Sequence, residues 1–144
     1  MASKSVRQER KKMSKVCLLE YHGQVIAKKN SKVISFNKST GKPFIRMNDK
    51  AKSQELDMAY QFQEDYIEQG YIEPLRGKLT IVMGFWNKDN RAHDMDNQIS
   101  TILDALVKGK VIEDDSQKYI KHLTANNNGV DKEDPRVQIV IFED

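Results

Sequence analysis

A single cysteine, seven scattered glycines and no long apolar run remove several functions before any motif is considered. Cys17 has no partner for an intrachain disulfide. Its setting in Val16-Cys17-Leu18-Leu19 suits a small buried side chain in a reducing, cytoplasmic compartment. No stretch reaches the ~20 apolar residues of a membrane span, and the charged N-terminus lacks the apolar run of a secretory signal. The glycines are all isolated, which excludes a Gly-rich phosphate loop. His22, His93 and His122 with one cysteine offer no zinc spacing, and no nucleophile elbow is present. An EF-hand loop counted from Asp94 would need glycine where Ile99 stands. There is no internal repeat.

What the chain does have is charge, sorted by sign. Its 144 residues, 38% apolar and 31% charged, suit one domain with a modest core. The net charge is only +3, yet residues 1–15 carry six cations against Glu9, and residues 28–52 carry eight against Asp49. The expected organisation is a basic, flexible tail over 1–15 and a single domain over 16–144. Within the second basic segment, Lys28, Lys29, Lys32, Lys38 and Lys42 are candidates for gripping a polyanion such as DNA.

Val16–Tyr21 reads as a strand, with His22-Gly23 a turn or bulge. Val33–Phe36 and Pro43–Ile45 flank Asn37–Lys42, which predicts a short hairpin with lysines at its tip. A helix capped at Asn48 or Asp49 should run to about Gln69, with Leu56, Ala59, Tyr60 and Ile67 sharing a face. Leu79–Trp86 is the clearest buried strand. Ile99, Ile102, Leu103, Leu106 and Val107 recur at helical spacing, with Asp96 as N-cap and Gly109 as stop. Lys118–Thr124 and Arg136–Glu143 read as strands joined by a loop, in which Asn126–Gly129 has turn chemistry. The class is α/β (α+β): a small mixed β-sheet with two main helices.

Acid is concentrated at two places, Asp94-Met95-Asp96-Asn97 and Glu113-Asp114-Asp115. Carboxylates brought together from separate segments are what a hard cation such as Mg²⁺ asks for, which makes Asp94, Asp96 and Asp115 candidate ligands. The plainer alternatives are a helix cap at Asp96, worth about 1 kcal/mol, and an exposed acidic turn at Asp114-Asp115.

Asp94-x-Asp96-Asn97, followed by Leu103-Asp104-Ala105-Leu106 and then Asp114-Asp115-Ser116-Gln117, resembles the RusA family of Holliday-junction resolvases. These are Mg²⁺-dependent endonucleases of DNA recombination and repair, largely encoded by phages and prophages. Lys28–Lys32 and Gly41–Phe44 resemble, more weakly, the family's basic loop. The resemblance runs from Val16 to the C-terminus and implies a small α/β fold and a homodimer acting on four-way DNA junctions. It implies Mg²⁺, with Mn²⁺ as the substitute, held by Asp94, Asp96 and Asp115. Asp114 is then an outer group or a ligand to a second ion, and Asn97 and Asp104 support the site.

One residue departs from the family pattern. Four positions after Asp96, where the family has a lysine, this chain has Ser100, which carries no charge. Either another cation (Lys88, Arg91 or Lys118) reaches the site, or metal suffices, or the protein binds junctions and cuts poorly. A junction-binding protein with weak or no nuclease activity is therefore the alternative reading, and a nuclease of ordinary duplex is a third.

Overall fold

The computed structural model describes residues 15–27, 32–47 and 49–144. Along the chain lie β1 (Lys15–His22), β2 (Lys32–Phe36), β3 (Pro43–Met47), α1 (Asp49–Glu68), β4 (Leu79–Asn87), α2 (Met95–Lys108), β5 (Ile120–Val130) and β6 (Arg136–Glu143). The basic residues 1–14 of the expected tail lie outside the described residues.

Period-two alternation builds the main sheet. Leu79, Ile81, Met83 and Phe85 of β4 are buried, while Thr80, Val82, Gly84 and Trp86 face the other way and are half-exposed. The register continues this division across the neighbours. Ile81 lies opposite Ile141 of β6, which lies opposite Cys17 of β1; Met83, Ile139 and Leu19 form the next row. Strand order is β1-β6-β4-β5, antiparallel except for β4 and β5, which run parallel. A parallel pair needs a crossover, and α2 supplies it. Met58, Phe62 and Tyr66 of α1, with Ile102, Ala105 and Leu106 of α2, pack on the buried face of the sheet. The expected mixed sheet with two main helices is thus found. Among the described residues no helix is long and apolar enough to cross a membrane.

Burial fixes the chemistry of the lone cysteine. Cys17 is fully enclosed, and desolvation, with the Asp65 carboxylate second, pushes its thiol up to about 12. At neutral pH it is an inert thiol that fills space.

Two local expectations change. Leu56, Tyr60 and Ile67 do not face the core; the buried stripe of α1 is Ala51, Glu55, Met58, Ala59, Phe62 and Tyr66. The helix carries apolar residues on more than one face, and the one bearing Met58, Phe62 and Tyr66 is enclosed. Asn126–Gly129 is not a turn, because β5 continues to Val130 beside β4. Gly129, at φ +97°, is the only member of that tetrapeptide with a positive φ.

The stop of α2 works differently from the simple glycine signal. Gly109 has φ −77°, and the left-handed position falls on Lys110, at φ +59°. Lys110 N–H donates to the Val107 carbonyl and Val111 N–H to the Leu106 carbonyl, each at 3.0 Å, the paired bonds of a Schellman motif. Gly109 is needed for closeness instead: a Cβ there would lie 2.5 Å from the Ala59 carbonyl oxygen of α1.

Side chains close the outer edge of β1. Gln69 donates to the Leu18 carbonyl at 2.6 Å and accepts from the Leu18 N–H at 2.8 Å. Asp65 accepts from the Glu20 N–H at 3.1 Å, and the Tyr71 hydroxyl donates to the Val16 carbonyl at 2.7 Å. The end of α1 and the turn after it thus stand where a further strand would pair.

Candidate active site

The site is built at the start of α2, where β4 hands the chain over. Asp94 has extended backbone (φ −77°, ψ 100°) and is the residue that caps the helix, a role expected two positions later at Asp96. Its Oδ1 accepts from the Asn97 N–H at 3.3 Å, and its Oδ2 accepts from the Asn97 side-chain amide at 2.8 Å. Asn97 is itself buried, so it braces the carboxylate from below. Asp96 lies in the first turn, exposed. Asp96, Ser100 and Asp104 follow at four-residue spacing, so they line one flank of the helix. Each carboxylate oxygen of Asp94 has two lone pairs, and one bond to Asn97 leaves the other lone pair open to solvent.

An amide network holds this helix start in place. Gln98 and Gln24 both donate to the Asn87 side-chain oxygen, at 3.0 and 2.8 Å. Gln24 also accepts from the Lys88 N–H at 2.7 Å. The network joins the first turn of α2, the last residue of β4 and the segment leaving β1. Sequence reasoning passed over these three residues. A signal existed, since Gln98 stands four positions before Ile102 on the buried stripe of α2, where a polar side chain needs a partner.

Beside Asp94 opens a cavity of about 260 Å³ lined by Gln24, Ala27, Lys88, Arg91 and His93. Lys88 and Arg91 thus bring positive charge beside Asp94, with Asp89, which also lines the cavity, 3.8 Å from the Arg91 guanidinium. Lys118 does not: its ammonium sits 5.4 Å over the Tyr119 ring, near the start of β5. His93 is engaged by Asp89, with Nε2 2.8 Å from Oδ1, and that hydrogen bond is the main reason the Asp89 carboxyl lies below its ordinary range.

Asp114 and Asp115 are elsewhere. The 14 residues of α2 carry the chain about 21 Å away from Asp94. Beyond it, Glu113 N–H bonds the Leu75 carbonyl, and Leu79 N–H bonds the Tyr119 carbonyl, which pins the intervening turn at the opposite end of β4. Both aspartates are exposed there. The Ser116 hydroxyl, followed by the Asp115 N–H, holds the Asp114 carboxyl below its usual range. One chain therefore brings Asp94, Asp96 and Asn97 together and leaves Asp114 and Asp115 apart. Among the described residues no group of three or more His, Cys, Asp or Glu is arranged to hold a metal. Mg²⁺ commonly takes one or two protein carboxylates and fills its remaining positions with water and substrate phosphate. Asp94 and Asp96 are two carboxylates at one helix start.

The basic candidates divide as well. Lys38 and Lys42 are exposed at the turn between β2 and β3. Lys28 and Lys29 lie outside the described residues, as does the side chain of Lys32.

A family model described as endodeoxyribonuclease RusA matches residues 22–142, a stretch that takes in the hairpin, both helices and every aspartate discussed above. The chain belongs to the RusA family. No curated protein matches it. RusA membership makes the chain a member of a family of DNA endonucleases, and it gives the braced Asp94 carboxylate at the start of α2 a chemical context.

Proposed function

We propose that this RusA-family protein is a Mg²⁺-dependent endonuclease that resolves four-way DNA junctions as a homodimer. The observation that carries the reading is Asp94, held by Asn97 beside a cavity to which Lys88 and Arg91 contribute, with Asp96 exposed in the first turn of the same helix. The positive end of the helix dipole favours a phosphate at this position. Lys88 and Arg91 would draw the DNA backbone in, while Asp94 and Asp96 would hold the cation. The bound cation would supply activation of water near neutral pH and neutralisation of charge on the reacting phosphate. Asn97 orients Asp94, and the Gln24–Asn87–Gln98 network keeps the helix start from shifting as the backbone docks.

A homodimer answers two requirements together. Resolution needs two cuts placed symmetrically, and a two-fold pair of chains presents two equal sites. It also offers a route for Asp115, which α2 separates from Asp94 and Asp96 in one chain. A second copy lying antiparallel along α2 would carry its own Asp115 toward them.

The junction-binding alternative rests on the row Asp96–Ser100–Asp104, which has a hydroxyl at its centre and no cation. A synthetic four-way junction incubated with Mg²⁺ and with EDTA separates the two. Symmetric nicks that need Mg²⁺ support the enzyme; a mobility shift without nicks supports the binder. Asp96→Asn should lower nicking more than the ~100-fold that losing an outer partner can cost, with junction binding retained. Wild-type nicking by this variant would remove Asp96 from the site.

A further inference from the structure

The β2–β3 hairpin forms a two-stranded sheet separate from the main one. Its register puts Ile34 opposite Ile45 and Phe36 opposite Pro43, so these four side chains share one face. That face is open: Ile34 is 68% exposed, Phe36 66% and Ile45 70%. A lone hairpin is marginal in water, and an apolar face this bare marks a surface that meets something. The turn beside it is pre-shaped. Asn37 accepts through its side chain from the Ser39 N–H at 2.8 Å, and Gly41 takes φ +70°. Lys38 and Lys42 are presented by that turn, and no acidic residue occurs between Lys32 and Met47.

Two features of this segment point in different directions. Cations without anions suit a polyanion, whereas exposed rings and branched aliphatics suit an apolar surface. Duplex DNA offers only the first, because its bases are stacked inside. A branch point offers both, since base pairs end there with faces that no neighbour covers. A second copy of this chain fits poorly, because apposed hairpins would bring two wholly cationic segments together. The root of the hairpin also favours DNA at the site: Ala27, which lines the cavity beside Asp94, lies a few residues before β2. At the other foot Arg46 is paired with Asp49 at the start of α1, at 2.8 Å.

We propose that the β2–β3 hairpin reads the branch point, with Lys38 and Lys42 on the backbone and Ile34, Phe36 and Ile45 against exposed base faces. Apolar wedges of this kind unstack base steps in other DNA-binding folds. The inference rests on the branched-DNA reading above and deepens it, assigning branch selectivity to residues far in sequence from the aspartates.

The test uses the full chain, in EDTA, with a four-way junction carrying 2-aminopurine at the branch and a linear duplex of the same sequence. The variant Ile34→Thr, Phe36→Thr, Ile45→Thr keeps every cation and retains β-branched or strand-compatible side chains, so the hairpin can persist. Wild type should bind the junction more tightly than the duplex and raise 2-aminopurine emission. The triple variant should lose roughly tenfold in junction affinity, leave duplex affinity unchanged and abolish the emission rise. A triple variant with the wild-type preference and emission rise overturns the inference and leaves the enzyme reading intact. A wild type with no junction preference sinks the branched-DNA reading itself. Loss of self-association in the triple variant, with selectivity kept, assigns the face to a second copy and overturns the inference.

Discussion

Asp94 caps α2, and in the proposed reading it would also offer a carboxylate to a cation, two tasks that substitution can separate. Serine caps helices about as well as aspartate but carries no charge, so Asp94→Ser should unfold within a few tenths of a kcal/mol of wild type while nicking is lost; Asp94→Ala should lose about 1 kcal/mol as well. Urea unfolding beside a junction-nicking assay checks both, and parallel losses in the two variants would show the capping role alone. Lys110 presents the opposite opportunity. It holds a left-handed conformation that costs a side-chain-bearing residue about 1 kcal/mol or more, at the position where glycine is favoured. Lys110→Gly should therefore stabilise the protein by about that amount in urea melts, with nicking unchanged.

At the scale of elements, the flank of α2 decides how much the missing lysine matters. A lysine at Ser100 would sit one turn beyond Asp96, on the same side of the helix. Ser100→Lys should raise nicking roughly tenfold or more if an uncompensated charge limits the rate, as single-turnover assays would show. An unchanged rate would indicate that Lys88 or Arg91, at the cavity mouth, already supplies that charge. The same helix shows what sequence can and cannot reveal. Its length and apolar stripe were legible because Ile99, Ile102, Leu103, Leu106 and Val107 repeat at helical spacing; Ile102 and Leu106 are fully buried and the other three pack partly against the core. Its cap was misplaced by two residues because Asp94 and Asp96 are chemically equivalent candidates, and only backbone geometry tells them apart. In α1 the exposed Leu56, Tyr60 and Ile67 competed with the true core stripe, and periodicity alone could not rank two apolar faces. In β5 the Asn126–Gly129 tetrapeptide has strong turn propensity, yet pairing along β4 overrides it. Cross-strand partners are long-range information that a local pattern does not contain.

For the whole molecule, the decisive fact is that the two acidic pairs stand at opposite ends of one helix. The sequence showed two acidic clusters separated by a helix, but not that they stand at opposite ends of β4, which depends on how the strands pair. If a dimer assembles each site from Asp96 of one chain and Asp115 of the other, Asp96→Asn and Asp115→Asn should complement each other. Each should be inactive alone. Refolded together in equal amounts, they form heterodimers with one intact site, so about a quarter of wild-type nicking should return. Those heterodimers would cut a single strand and leave the junction unresolved, which denaturing and native gels distinguish. No recovery on mixing, with mixed dimers demonstrated by differently tagged chains, would place each site within one chain.

The sealing of β1 by Gln69, Asp65 and Tyr71 ties the colloidal behaviour of this protein to the end of α1. A helix terminus is ordinarily the first part of a fold to fray, and fraying is usually harmless. Here it would strip a row of backbone donors and acceptors of their guards, leaving an adhesive template for any extended chain nearby. Warming should therefore cloud concentrated solutions while the core is still packed.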